Sequence, residues 1–235
     1  MSKVQTKTYA SYHFGSSSDL TVQQLKQLIA LFNTPTKTVD SVLGGRSSVT
    51  IAHLEGVGSV VVKYYTRGGL LRFMVKRRYL KWGKTRCQIE YELLQKVRSL
   101  GVNAPEPISY ASRGGLFYKG WLVTREIKQN QTLAELSCAD EEHAHIVMKE
   151  LIDQLSILIK NNIFHADLHP GNVLVDSDDR VFIIDFDKAC LSRQNKNKLR
   201  NHYLRRWRRA VIKHRLPEML SEMICTGLQK NYEVG

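Results

Sequence analysis

Side chains able to do chemistry are densest in Phe164-His165-Ala166-Asp167-Leu168-His169-Pro170-Gly171-Asn172-Val173-Leu174-Val175, followed by Val181-Phe182-Ile183-Ile184-Asp185-Phe186-Asp187. An Asp stands five residues before an Asn, an apolar hairpin follows, and a second Asp closes its return strand. That order brings Asp167, Asn172 and Asp185 to one loop cluster. Three oxygen-bearing side chains so placed suit magnesium-dependent phosphoryl transfer, because Mg²⁺ is held by one or two carboxylates together with substrate phosphates. Asp167 would orient the attacking hydroxyl and take its proton; Asn172 and Asp185 would hold the metal; His165 would fix the loop backbone. Two plainer readings stay open on these residues alone. His165, Asp167 and His169 could form an H-x-D-x-H metal cluster, although nothing nearby adds ligands at zinc-like spacing, or the segment could be a polar loop.

Phosphoryl transfer makes demands upstream. A Lys on the strand after a Gly-rich turn must reach the nucleotide phosphates, and a helical Glu must position it. Lys63 ends the run VVVK. Glu90 and Glu92 both qualify as its partner, but Glu90 shares a helical face with Leu93, Leu94 and Val97, whereas Glu92 falls beside Gln95, Lys96 and Ser99. Glu90 is therefore the inward residue. Gly44, Gly45, Arg46 and Ser47 supply a short Gly-rich segment whose backbone N–H groups could cradle the phosphates of ATP, though a Gly-Gly pair is also an ordinary hairpin turn. Backbone groups around Glu126 and Ile127, after the apolar run WLV, are where adenine would meet the linker.

The elements that must carry these residues follow from periodicity. Residues 18–32 read as an amphipathic helix with capping-box spacing at Thr21 and Gln24. Residues 42–65 read as a hairpin turning at Glu55–Gly58, and 116–127 as another turning at Lys119–Gly120. Between them, 86–100 has helical spacing that Gly101, Pro105 and Pro107 terminate. A helix at about 140–161 would bury Ile146, Val147, Leu151, Leu155, Leu158 and Ile159, and the basic helix after residue 195 is the last long element. Strands first and helices second predict an α+β chain of two lobes: a small β-rich N-lobe at 1–126 and a compact helical C-lobe at 127–235. Four scattered cysteines without a C-x-x-C pair fit a reducing compartment. No apolar run long enough for a membrane span and no signal peptide is visible, which predicts a chain kept on the cytosolic side.

The formal charge is +13, from 35 Lys and Arg against 22 Asp and Glu in 235 residues. It is not spread evenly. Residues 67–86 hold eight Lys or Arg and no acid, and residues 196–215 hold nine and no acid, so the remainder nets about −4. Two acid-free patches point to a polyanionic partner at defined places; nucleic acid, an anionic membrane and a phosphorylated ligand all fit at this stage. A hydrophobic content of 43% excludes a disordered polybasic tail.

With these residues assembled, the chain resembles the protein-kinase-like superfamily over about residues 43–190. HADLHPGN is shared by aminoglycoside phosphotransferase-like, RIO-like and coenzyme-Q-kinase-like proteins. The Gly44-Gly45-Arg46 turn, the basic insert beginning Tyr64-Tyr65-Thr66-Arg67-Gly68-Gly69-Leu70-Leu71, Thr85-Arg86, the IIDFD segment and the helix at Asn201–Lys213 are more specific. They are similar to the lipopolysaccharide core kinases of Gram-negative bacteria, and within them to those acting on 3-deoxy-D-manno-octulosonic acid (Kdo). The resemblance implies a two-lobed protein-kinase-like fold using ATP and Mg²⁺, with Asp167 as the catalytic aspartate. The implied acceptor is the 4-hydroxyl of a Kdo sugar on lipid A or its precursor, reached from the cytoplasmic face of the inner membrane. Arg67, Arg77 and Arg86 in the first patch and Arg205, Arg206, Arg208 and Arg209 in the second become contacts for the anionic acceptor or membrane surface, and nucleic acid falls to a minor alternative. Asp187 departs from the pattern, standing where most kinases have the glycine of DFG. Only about fifty residues follow Asp185, which argues against a peptide-binding platform. A heptose kinase, a RIO-like protein kinase and a catalytically inert binding module are the remaining alternatives.

Overall fold

The computed structural model describes residues 4–34, 38–40, 46–65, 79–80, 83–115 and 117–233. The chain divides into two units, Met1–Gln95 with Glu106–Glu126, and Lys96–Pro105 with Ile127–Gly235.

In the first unit, β1 (Gln5–Tyr9), β2 (Tyr12–Ser16), β3 (Thr38–Asp40), β4 (Arg46–Leu54), β5 (Gly58–Tyr64), β6 (Tyr79–Leu80), β7 (Pro107–Gly114) and β8 (Phe117–Arg125) form one sheet. Its order is β1-β2-β7-β8-β5-β4-β3 with β6 on β8, and its pairs are antiparallel. Helix α1 (Val22–Asn33) starts at the capping box read from the sequence: the Gln24 N–H donates to Thr21 Oγ1 at 3.2 Å, and the Thr21 N–H donates to Gln24 Oε1 at 3.0 Å. The helix buries Leu25, Leu28 and Phe32 against Tyr12, Phe14, Val60, Val62 and Trp121, and Phe32 stacks on Trp121 with centroids 4.7 Å apart. Large apolar side chains buried in this way contribute about 1.5–3 kcal/mol each. Alternation along β5 then decides where Lys63 goes. Val60 and Val62 face α1, so Lys63 projects from the opposite side of the strand, where it meets α2 (Arg86–Ser99).

The second hairpin differs from expectation. Lys119 and Gly120 lie inside β8, opposite Arg113 and Ser112, and the chain reverses between Gly114 and Phe117. Gly114 has φ 118°, and a Cβ there would sit 2.3 Å from the Phe117 carbonyl oxygen, so the reversal needs a residue without one. The β1–β2 hairpin was also unanticipated; Tyr12 and Phe14 point into the core on either side of the exposed His13.

The second unit contains β9 (Asn130–Thr132), α3 (Leu133–Ala139), α4 (Glu141–Lys160), β10 (Ile163–Phe164), β11 (Val173–Asp176), β12 (Val181–Ile183), β13 (Cys190–Leu191), α5 (Lys196–His214) and α6 (Met219–Glu233). The sheets here are small, β12-β11-β9 and β10-β13. Asp140 caps α4 by accepting the His143 N–H at 2.9 Å, and Glu141 and Glu142 complement the positive end of its dipole. Val147, Leu151, Leu155, Leu158 and Ile159 are buried as the spacing predicts, whereas Ile146 is 57% exposed and Met148 and Ile152 take the inner positions. The basic helix is not the last long element: α6 follows it, burying Leu220, Ile224 and Leu228. The α+β expectation holds, with a strand-rich first unit and a helix-rich second.

Candidate active site

In the first unit, α2 presents Glu90 to β5. Lys63 Nζ lies 2.9 Å and 3.0 Å from the two Glu90 oxygens, and the Tyr65 hydroxyl donates to Glu90 Oε2. Glu90 and Tyr65 are each 3% exposed and the Lys63 side chain 25%, so the carboxylate is enclosed while the ammonium keeps an opening to solvent. Tyr65 was missed in the sequence, where an aromatic after a strand carries no special signal. Glu92 instead pairs with Lys84 at 2.6 Å on a more exposed face. Arg86 places its guanidinium 5.9 Å from the centre of the Tyr65 ring. Gly44, Gly45, Arg67 and Arg77 lie outside the described residues, and of Arg46 and Ser47 only the backbone, paired between β3 and β4, is described. The Glu126 N–H donates to Ser59 O at 3.1 Å, and the Ile127 carbonyl accepts from Asn130 Nδ2.

In the second unit the loop from His165 to Asn172 is tied into β11 and β12. Register pairs Val173 with Ile183, and the Ile184 N–H donates to the Asn172 carbonyl at 3.0 Å. Asn172 therefore stands beside the strand end that carries Asp185. Asp185 adopts φ 62°, ψ 63°, the left-handed region that a short polar residue tolerates better than most and that concentrates at functional sites. Asn172 Nδ2 donates to the Asp167 carbonyl at 2.9 Å, which fixes the amide. Burial pushes the His165 imidazole below its ordinary value, so the ring is neutral and its Nε2–H donates to the Ile184 carbonyl at 2.9 Å. Burial also lowers His169, whose Nδ1 accepts the Gly171 N–H at 3.1 Å. These two nitrogens are thus engaged by backbone. Among the described residues no group of three or more His, Cys, Asp or Glu is gathered to hold a metal, so the H-x-D-x-H cluster is not assembled. An amide oxygen and a carboxylate on adjoining backbone fit Mg²⁺, which takes few protein oxygens and completes its shell with water and phosphate.

The loop is braced from two sides. Tyr203 of α5 accepts the His165 N–H at 2.8 Å and donates to Ile163 O at 2.9 Å. Asn103 receives the Ile183 N–H on its carbonyl and binds Gln154 and Glu150 of α4, while Glu150 and Gln154 also hold the backbone of Val181. At the turn that joins β11 to β12, burial acts to raise the Asp176 carboxyl, but hydrogen bonds from Arg180 and from the Asp178 N–H outweigh it and hold it below its usual range.

Asp167 itself contacts two cations the sequence reading did not connect to it: Arg206 of α5 on Oδ1, and Lys188 Nζ at 3.1 Å on Oδ2. No short-range pattern links positions 39 and 21 residues away. Leu199, Tyr203, Trp207 and Val211 form the buried stripe of α5, which leaves Arg205, Arg208 and Arg209 exposed. Arg205 lines a cavity of about 590 Å³ with Lys198, Asn201, His202 and Leu204. Thus Arg205, Arg208 and Arg209 face solvent, while Arg206 turns to the candidate base.

Residues 30–224 match the lipopolysaccharide kinase (Kdo/WaaP) family. Proteins named 3-deoxy-D-manno-octulosonic acid kinase are similar along much of the chain. That of Vibrio vulnificus (strain YJ016) is 33% identical over 148 residues, 62% of each chain. That of Vibrio parahaemolyticus is 31% identical over 187 residues, 77% of each chain. The one from Xylella fastidiosa (strain M23) is 29% identical over 175 residues, 73% of this chain and 69% of its own. The chain spans 62% of the length of the Vibrio vulnificus relative. A match running from α1 to α6, through both Lys63–Glu90 and the Asp167 loop, places the chain in a family: it belongs to the lipopolysaccharide kinase (Kdo/WaaP) family.

Proposed function

We propose that the protein is an ATP-dependent kinase that phosphorylates the 4-hydroxyl of a Kdo sugar attached to lipid A or its precursor. The observation that carries this reading is the loop that ties Asp167, Asn172 and Asp185 to one pair of strands, in a chain of the lipopolysaccharide kinase family. The names of the relatives support an octulosonic acid as acceptor.

In the reaction Lys63, held by Glu90 and Tyr65, contacts the nucleotide phosphates. The Glu126 carbonyl and Ile127 N–H are the backbone groups offered to adenine. Asp167 orients the acceptor hydroxyl and receives its proton as that oxygen bonds to the γ-phosphorus and the bond to the β–γ bridging oxygen breaks, releasing ADP. Asn172 and Asp185 are the residues that would hold Mg²⁺, which when bound neutralises charge on the phosphates. Among the described residues no helix is long and apolar enough to cross a membrane. Arg205, Arg208 and Arg209 would attach the protein to the anionic cytoplasmic face of the inner membrane, at about 1 kcal/mol per cation near the surface.

Incubation with ATP, Mg²⁺ and Kdo-lipid IVA, read by mass spectrometry, should add one phosphate. Asp167→Asn should lower that transfer by roughly 10²- to 10⁴-fold, the usual share of a general base. Unchanged turnover in this variant would refute the assignment of Asp167.

A further inference from the structure

Both oxygens of Asp167 are occupied. Oδ1 carries the Arg206 guanidinium and Oδ2 the Lys188 ammonium. A general base needs a lone pair aimed at the hydroxyl it deprotonates, and a guanidinium lying on Oδ1 competes for that position. The two cations differ in how they are mounted. Arg206 sits on α5 between the buried Tyr203 and Trp207, so its backbone is fixed, yet its side chain is 41% exposed and has room to swing. Lys188 is 63% exposed on the short turn after Phe186. A guanidinium matches a planar carboxylate better than an ammonium does, and so discriminates a carboxylate-bearing ligand from a neutral one.

Kinases similar to this chain are named for an octulosonic acid, a sugar with a carboxylate of its own. We propose that Arg206 exchanges the Asp167 carboxylate for the carboxylate of an acidic sugar acceptor, so that the group which identifies the acceptor also releases the base. Replacing one guanidinium–carboxylate pair by another leaves the number of charge pairs unchanged. A neutral sugar or water provides no such exchange, and Asp167 stays covered. Lys188 remains on Oδ2 and keeps the carboxylate oriented. Arg206 is then a specificity-determining residue. The proposal rests on the reading of Asp167 as the base.

The test compares the full-length protein with Arg206→Met and Arg206→Lys, using Kdo-lipid IVA and the same glycolipid with its Kdo acid methyl-esterified. Arg206→Met should raise KM for the acid acceptor by roughly 10- to 100-fold, the value of a lost charge-assisted hydrogen bond. KM for the ester should hardly move, and ADP release without any acceptor should rise. Arg206→Lys should restore part of the preference for acid over ester. Equal losses on acid and ester, or a fall in kcat with KM unchanged, would overturn the exchange. Because Arg206→Lys keeps the cation and most of the stem, a folding defect in Arg206→Met alone leaves the test intact. Normal turnover of Asp167→Asn on either acceptor would instead remove the base assignment beneath it.

Discussion

Replacing Glu90 by Ala removes three contacts together: both oxygens from Lys63, at 2.9 Å and 3.0 Å, and the acceptor of the Tyr65 hydroxyl. A buried hydroxyl that loses its acceptor costs about 1–3 kcal/mol. For Lys63 the loss lies between the ~0–1 kcal/mol of a surface pair and the ~3–5 kcal/mol of a buried charge left alone. Its side chain is 25% exposed and water can replace part of what Glu90 provided, so about 1–2 kcal/mol is appropriate. Together these give about 2–5 kcal/mol. At about 2–4 °C per kcal/mol for a chain of this size, the midpoint of thermal unfolding should fall by roughly 5–15 °C. Glu92→Ala is the comparison: it breaks a pair whose side chains are 58% and 29% exposed, and should stay within about 1 kcal/mol of the parent. Calorimetry gives the stability. Steady-state kinetics against ATP give the second readout, where Glu90→Ala should raise KM or lower kcat and Glu92→Ala should do neither. A larger effect of Glu92→Ala on both measurements would refute the argument that helical phase and enclosure single out Glu90.

Two further outcomes follow from burial. Desolvation pushes the Cys87 thiol up to about 11, so at pH 8 only about one molecule in a thousand carries the thiolate; iodoacetamide should label the exposed Cys138 and Cys190 and reach Cys87 only after unfolding. Labelling of Cys87 in the folded protein at the rate of Cys138 would contradict this. Burial also lowers His165 and His169 from 6.5, so below that pH the unfolded chain binds protons that the folded chain does not. Their contribution to stability is complete above about pH 6.5 and is lost as pH falls through the folded values. The melting temperature should decline from pH 7 to pH 5, and less steeply in His165→Gln; an equal slope would count against His165.

What the sequence made legible was local. The order Asp167, Asn172, Asp185 could be read because an apolar hairpin of fixed register must bring its flanking loops together, and Thr21 with Gln24 because a capping box is a four-residue pattern. Glu90 could be separated from Glu92 because two residues of offset turn a helix by more than half a revolution. The misses were of two kinds. At Lys119–Gly120 a weak turn signal competed with the Gly114-Gly115 pair, and the deciding fact, a carbonyl 2.3 Å from any added Cβ, belongs to three-dimensional space. Arg206, Lys188, Tyr65 and Asn103 act across long sequence separations, and nothing in their local context marks them. A basic helix reads as a solvated face until tertiary contacts direct one of its arginines inward.

The amide of Asn172 has two ends, and the loop distinguishes them. Its nitrogen is fastened to the Asp167 carbonyl at 2.9 Å, so its oxygen is the end left to face a cation. An aspartate has nearly the same shape and would attract a divalent ion more strongly. It would also turn an oxygen towards the carbonyl oxygen of Asp167, repelling the backbone that the amide now fastens and loosening the turn from which the Asp167 side chain projects. For the proposed Mg²⁺ site the better isolated ligand would make the poorer one, because the amide also braces the loop.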